Sequence, residues 1–252
     1  MVNFGSALER AWKYSTNLKR VGVFTLFLII SLSIVLLPLL FAYNGAPLSI
    51  SLLNMMQFFV WLAVGIAVAL LVYMYAALLF THNYANQKSL GNSANYAKSR
   101  YLRFLGAMIV IGVISGVVSM VPFIGIVFSI IVGLILFFVP QEIAVGGSGI
   151  SKSLTNSYNL FRKNIVDVVI TLIVSAILST IIMLIFAIPI FIVGFMSVIS
   201  AMSTGNFMHV FLSNAPLFVV TGLILLVGVA FSILFSNSIR TDVYMQLKKK
   251  RK

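Results

Sequence analysis

The chain has 252 residues, of which 61% are hydrophobic and only 8% are charged, whereas about 25% of residues in an ordinary soluble domain are charged. This composition excludes a soluble globular domain and a disordered chain, because no soluble core of this size buries so much apolar surface. The absence of cysteine excludes a disulfide scaffold, a thiolate nucleophile and a cysteine-based zinc site. The sequence is that of an integral membrane protein.

Charged residues are missing from three long stretches of the chain. These are 21–87, the interval between Arg103 and Glu142, and the interval between Asp167 and Arg240. Because a helix needs about 20 apolar residues to cross a bilayer, each stretch predicts two spans. The six predicted transmembrane helices are Val21–Tyr43, Leu53–Phe80, Phe104–Val121, Phe123–Val139, Val168–Ile190 and Leu217–Ser236.

Two of these stretches carry further detail. The third and fourth spans are short and joined only by 121–125, which predicts a tight hairpin, with a re-entrant hairpin as the alternative. The fifth apolar run continues past Pro189 to about Ala201. Pro189 is predicted to kink or end the fifth span, with a short outer-face helix before Asn214.

Amphipathic segments precede the first, third and fifth spans, with apolar residues at helical spacing and polar residues on the other faces. Their apolar positions are Phe4, Leu8, Ala11 and Leu18 with Trp12 beside them, then Leu90, Ala94, Ala97, Tyr101 and Leu105, then Ile150, Leu154, Tyr158, Phe161 and Ile165. We therefore predict an all-α membrane protein with six transmembrane helices in three hairpin repeats, each preceded by a cytoplasmic amphipathic interfacial helix. The single polytopic domain, 1–252, divides into units of about 1–87, 88–146 and 147–247 and a basic tail, 248–252.

All 17 Lys and Arg residues fall on one predicted side of the membrane. The positive-inside rule then places both termini in the cytoplasm. Because such cations set topology and attract anionic lipid, the net charge of +13 does not by itself require nucleic acid. The basic tail is expected to contact either lipid or a polyanion or protein partner; its members are Lys248, Lys249, Lys250, Arg251 and Lys252.

Residues able to carry chemistry are sparse. His82 and His209 are predicted on opposite sides of the membrane, so they cannot share a metal. No carboxylate is predicted at mid-membrane, where it would indicate a proton or ion relay. We expect no catalytic residue, no metal site, no cofactor and no enzymatic activity. The four carboxylates, all predicted near the cytoplasmic boundary, are Glu9, Glu142, Asp167 and Asp242.

Small residues form a stripe along the third and fourth spans. Such stripes let helices approach closely in lipid, which predicts packing within the central hairpin; the alternative is that the serines line a narrow pore. The stripe consists of Gly112, Ser115, Gly116, Ser119, Gly125, Ser129 and Gly133.

The segment 138–164 resembles the membrane domain associated with some glycerophosphoryl diester phosphodiesterases, a family with many six-span archaeal members. In that family a proline and an acidic residue end one span, and a glycine-bearing turn, a serine–aromatic pair and a late asparagine follow. The matching residues here are Pro140, Glu142, Gly146, Gly147, Gly149, Ser157, Tyr158 and Asn164. The resemblance does not imply phosphodiesterase activity, because that catalytic domain is a separate soluble module.

The length, six spans and cysteine-free composition also resemble the polytopic protein of the crenarchaeal DNA-exchange system. This resemblance implies DNA import across the cell membrane with small membrane partners and a cytoplasmic motor ATPase, since the chain has no P-loop of its own. We expect a multi-pass channel or translocation subunit. The alternative is a membrane scaffold or lipid-organising protein without transport activity.

Overall fold

The computed structural model describes residues 2–43, 52–121 and 124–249, and these residues form ten helices and no strand. In chain order the helices are α1 (Phe4–Ser15), α2 (Leu18–Tyr43), α3 (Leu52–Asn86), α4 (Leu90–Ser119), α5 (Ile124–Ile135), α6 (Val139–Ala144), α7 (Ile150–Lys163), α8 (Ile165–Thr204), α9 (Phe207–Ser213) and α10 (Ala215–Lys249).

Six helical stretches of the described chain are long and apolar enough to cross a membrane, so the predicted number of spans is confirmed. They are Leu18–Leu37, Met56–Asn86, Leu90–Ser119, Val127–Ala144, Ile165–Thr204 and Ala215–Lys249. The predicted outer loop at 44–51, the turn at 122–123 and the end of the basic tail, 250–252, lie outside the described residues.

The segment before the third span is not a separate helix, so that expectation is wrong for the middle unit. Helix α4 begins after Ser89, whose side chain accepts a hydrogen bond from the Asn92 N–H, and continues to Ser119. No proline interrupts this stretch, so the helix passes from polar into apolar sequence without losing a hydrogen bond.

The helix predicted over Phe123–Val139 ends about one turn early, and a second, short helix begins where the prediction stopped. Helix α5 ends at Ile135 and α6 begins at Val139, with Pro140 in its first turn, where a missing N–H costs no helical hydrogen bond. Ser157 on α7 satisfies the groups that the break exposes. Its hydroxyl donates to the Ile135 carbonyl at 2.7 Å and accepts from the Phe138 N–H at 3.2 Å.

Pro189 does not end the fifth span. It lies inside α8, which continues to Thr204 and stops at Gly205, a residue with φ of +66°. The left-handed conformation favours glycine at this position and closes the helix through a hydrogen bond from the Gly205 N–H to the Ala201 carbonyl. The short helix predicted before Asn214 is α9.

Helices α8 and α10 form the most extensive pair of the bundle. The Ser232 hydroxyl donates to the Ser179 carbonyl at 2.9 Å, and Gly228 is so close to Phe186 that a Cβ there would overlap the aromatic side chain. Helices α3, α4, α5, α8 and α10 contact one another in that cyclic order, and within the described chain α4 does not pack against α8 or α10 to any extent. The contact between α5 and α8 is sparse, so this ring is least closed there.

Candidate functional site

Most of the polar side chains that hydrogen-bond between helices gather at one end of the bundle. Here α1, α6 and α7 meet the last turns of α3 and α10 and the first turns of α4. We call this region the polar cap. It consists of Arg10, Tyr14, His82, Asn83, Tyr84, Tyr96, Arg100, Glu142, Ser148, Asn156, Asp242, Gln246 and Lys248.

Asp242 is the centre of one half of the polar cap. Its carboxylate is 4% exposed and lies 2.7 Å from the Arg10 guanidinium, which is itself 56% exposed. The Tyr84 hydroxyl and the Gln246 amide also donate to it, at 3.1 and 2.7 Å. The hydrogen bond to Asp242 raises the pKa of Arg10. Three donors on α1, α3 and α10 thus satisfy one buried charge.

The same cluster ties the start of the described chain to its end. The Asn3 N–H donates to the Gln246 side-chain oxygen at 2.9 Å. On the neighbouring turn of α1, Trp12 packs edge-on against Phe231 and Phe235 of α10. Helix α1 is therefore docked on α10 through both polar and aromatic contacts.

Glu142 is the centre of the other half of the polar cap. The carboxylate is 2% exposed and lies 3.6 Å from the Lys248 ammonium. The Ser148 hydroxyl and the Asn156 amide donate to it at 3.0 and 3.2 Å, while Lys248 also donates to the Tyr244 hydroxyl at 2.6 Å. Glu142 therefore joins α6, α7 and α10 at one point.

The glycine turn between α6 and α7 fits closely around Glu142. A Cβ at Gly146 would lie 2.6 Å from the Glu142 carbonyl oxygen and 2.8 Å from both Glu142 Oε2 and Lys248 Nζ. Gly147 has φ of +66°, a conformation that side chains disfavour, and its carbonyl accepts from Arg100 at 3.0 Å. Two of the three glycines that carried the family resemblance, Gly146 and Gly147, are thus required by geometry, whereas a Cβ at Gly149 would have no neighbour within 4 Å.

A third group of contacts joins α1, α3 and α4. The buried Tyr14 hydroxyl donates to the Asn83 side-chain oxygen at 2.7 Å, and burial raises the pKa of Tyr14. The Asn83 amide donates to the Lys88 carbonyl at 2.6 Å. His82 stacks on Tyr96 with ring centroids 3.8 Å apart, so this histidine is packed between helices.

Arg240 differs from the other cations because its Nε is buried and has no hydrogen-bond partner in the described chain. Its guanidinium lies 4.8 Å from the Phe137 ring centroid, beside the break between α5 and α6. Neither of the two ion pairs among the described residues includes Arg240. Within the described part of the chain it is a partly buried positive charge without a counter-ion.

The structure separates the members of the small-residue stripe. Gly125 packs against the α4 backbone, where a Cβ would lie 2.9 Å from the Val118 carbonyl oxygen. In contrast, a Cβ at positions 112, 116 or 133 would meet no atom of another helix within 4 Å. Ser119 bonds within its own helix to the Gly116 carbonyl. The buried Ser129 hydroxyl has no partner among the described residues, and Ser115 is half-buried.

The other predicted site residues lie far apart. Lys248 belongs to the polar cap and Lys249 is exposed, whereas Lys250, Arg251 and Lys252 lie outside the described residues. His209 is exposed on α9, at the opposite end of α8 from the polar cap. Within the described chain no three His, Asp or Glu side chains come close enough to hold a metal ion.

Sequence reasoning missed the pairings Arg10–Asp242 and Glu142–Lys248, and it treated Arg240 as one more loop cation. One feature of the sequence could have revealed that other helices enclose the last turns of α10. Asp242, Gln246 and Lys248 lie in the last turns of a long helix with polar residues on several faces, which is unusual unless other helices surround it.

A family model described as a domain of unknown function (DUF7847) matches residues 123–247. The matched segment runs from the start of α5 almost to the end of α10, and it includes Glu142, Arg240 and Asp242 but not α1 or Tyr84. No curated protein and no solved structure matches the chain significantly.

Proposed function

We propose that this protein is a non-enzymatic, multi-pass subunit of a translocation system in the cell membrane, with DNA as its substrate. The observation that supports this proposal is the unbalanced positive charge at one end of the bundle. The chain has 17 Lys and Arg residues but four Asp and Glu residues, and two of those acids are buried in ion pairs.

The exposed cations form a surface suited to a phosphate backbone. Lys98 and Arg103 are exposed on α4, and Lys152, Arg162 and Lys163 are exposed on α7. Helices α4 and α7 contact each other, so these side chains lie on neighbouring elements. A dense row of phosphates is attracted to such a surface electrostatically, without readout of base sequence.

The proposed topology places the polar cap and both termini in the cytoplasm. The one-sided cations support this orientation, since Arg10, Arg100 and Lys248 all belong to the cap. Helices α1 and α7 precede α2 and α8 in the same way, and only one or two residues separate each of them from the following long helix. This parallel supports the repeat and the interfacial position of both short helices, with anionic lipid beside their cations.

Energy for translocation would come from outside this chain. We propose a cytoplasmic motor ATPase that docks on the polar cap, together with small membrane partner proteins. The cap is suited to docking because its buried acids are neutralised by Arg10 and Lys248, which leaves the surface cations for an acidic partner or for DNA.

The binding experiment compares charge removal with charge retention at the same positions. In lipid nanodiscs, the triple variant Lys98→Gln, Lys152→Gln and Lys163→Gln should bind single- or double-stranded DNA at least tenfold more weakly than wild type at moderate salt. The matched variant with Arg at these positions should bind like wild type. Equal DNA affinity of the Gln and Arg variants would contradict the proposal.

The cellular experiment is deletion of the gene followed by measurement of marker transfer into the recipient strain. Complementation with the Arg variant should restore transfer, and complementation with the Gln variant should not. If transfer into the deletion strain equals that into wild type, DNA import is wrong.

The second candidate is a membrane scaffold without transport activity. It is favoured by the open space around positions 112, 116 and 133, because a glycine face without neighbours lets another helix approach closely in lipid. Unchanged marker transfer together with co-purification of a stoichiometric membrane partner would favour the scaffold.

A further inference from the structure

The charge inventory of the described chain leaves Arg240 without a partner. The chain has four side-chain carboxylates, all of them on residues that the structure describes. Asp242 pairs with Arg10 and Glu142 pairs with Lys248. Asp167 lies beside the Val2 N–H at 3.5 Å, and Glu9 is exposed on α1. Among the described residues, the guanidinium of Arg240 therefore has no carboxylate within ion-pair distance.

An uncompensated charge in a protein interior is costly. Removing a cation from water carries a large free-energy penalty unless an opposite charge or hydrogen bonds replace the water. The contact with the Phe137 face offsets only part of this penalty, and the buried Nε remains unbonded among the described residues. This balance favours a bound anion over an empty site.

The surroundings of Arg240 match a lipid rather than a soluble ligand. Helix α10, which carries Arg240, contacts α3, α6 and α8. Phe137 is buried beside it, and Phe138 packs at 5.9 Å from Tyr244. The ring of helices that includes α10 is least closed between α5 and α8, and both of these helices carry exposed apolar side chains, among them Val127 and Phe128 on α5 and Ile173 and Ile177 on α8. An acyl chain can enter such a gap from the bilayer.

We propose that Arg240 binds the phosphate group of a membrane phospholipid whose acyl chains lie between α5 and α8. The planar guanidinium presents paired donors that match two phosphate oxygens. Basic positions between transmembrane helices on the cytoplasmic side bind lipid headgroups in this way. The site is independent of DNA binding, because none of the surface cations on α4 and α7 takes part in it.

The experiment measures thermal stability of the purified protein in detergent during titration with lipid. A phosphate-bearing lipid should raise the melting temperature by at least 3 °C, whereas a glycolipid with identical acyl chains and no phosphate should not. Inorganic phosphate is titrated as a separate arm. If inorganic phosphate protects the protein and the phospholipid does not, the anion site holds a free ion and the lipid proposal is wrong. Equal protection by the glycolipid and the phospholipid would also overturn the proposal.

Variants locate the site. Arg240→Gln should abolish the protection by phospholipid, and Arg240→Lys should retain part of it. Lys19→Gln, which removes an exposed cation from the first turn of α2, should behave like wild type. If Arg240→Gln does not fold, the comparison of phospholipid and glycolipid on the wild-type protein still decides the question. Full protection of a folded Arg240→Gln variant would exclude Arg240 as the ligand.

Discussion

The Arg10 guanidinium lies 2.7 Å from the buried carboxylate of Asp242, 232 positions further along the chain. This pair fastens α1 to the last turns of α10. Because Arg10 is more than half exposed while Asp242 is almost fully buried, loss of the arginine leaves a desolvated carboxylate with only Tyr84 and Gln246 as donors.

We expect Arg10→Gln to lower the apparent melting temperature in detergent by about 3–6 °C. A hydrogen bond to a charged group contributes about 1.5 kcal/mol or more, and 1 kcal/mol corresponds to about 2–4 °C for a chain of this size. Circular dichroism during heating measures the change. Lys13→Gln, which removes an exposed cation on the same helix, is the control, and an equal loss in both variants would show that the ion pair is not the cause.

Gly146→Ala should destabilise the protein by about 1–3 kcal/mol, because its Cβ would displace Glu142 or Lys248. Gly91→Ala is the matched control. Position 91 lies in α4 with no neighbour within 4 Å, and alanine there should be neutral or stabilise the helix by up to about 1 kcal/mol. Denaturant titration in micelles distinguishes the two, and a Gly146→Ala protein as stable as Gly91→Ala would refute the tight turn around Glu142.

A second glycine pair tests the packing of α8 against α10. Gly228→Ala should reduce stability by about 1–3 kcal/mol through overlap with Phe186, whereas Gly222→Ala, six positions earlier on the same helix and in open space, should not. The destabilisation is measured by urea unfolding. Adding Phe186→Leu to Gly228→Ala should recover part of the lost free energy of unfolding. If the effects of the two substitutions are strictly additive, Phe186 does not contact position 228.

The dependence of stability on alkaline pH tests the burial of the Tyr14 phenol. Burial raises the pKa of this phenol in the folded protein, so the folded state holds its proton above about pH 10 while the unfolded state releases it. The unfolded state then binds fewer protons, and stability falls as pH rises above about 10, by up to about 1.4 kcal/mol per pH unit for each such group. Tyr14→Phe should be less stable at neutral pH, because Asn83 loses its donor, yet lose less between pH 10 and 11. Parallel pH curves for the two proteins would contradict this assignment.

The cysteine-free chain makes the proposed orientation easy to measure. Lys152→Cys, on the exposed face of α7, should react with a membrane-impermeant maleimide only after the cells are opened. Ser203→Cys, exposed near the end of α8, should react in intact cells. Labelling of Lys152→Cys in intact cells would place the polar cap outside.

The six spans could be predicted because the missing charges and the length needed to cross a bilayer are both local properties of sequence. The break between α5 and α6 could not, since it depends on Ser157 of another helix to satisfy the Ile135 carbonyl and the Phe138 N–H. Of the two outcomes predicted for Pro189, a kink or the end of the span, the end is wrong, since α8 continues to Thr204. A proline is tolerated inside a long apolar helix when neighbouring groups satisfy the freed carbonyl.

The polar cap was beyond sequence reasoning for a related reason. Acids at the ends of spans predicted an interfacial position, and pattern alone does not show that Glu142 and Asp242 are enclosed by α1, α6, α7 and α10. The pairing of Arg10 with Asp242 spans nearly the whole chain, so no helical period or short motif reports it.

The docking of α1 on α10 also sets an order of events during synthesis. At about 5–20 residues per second, Asp242 leaves the ribosome about 10–50 s after Arg10. Until then Trp12 of α1 lacks its edge-on contacts with Phe231 and Phe235. Docking of α1 on α10 therefore cannot occur before α10 has been synthesised.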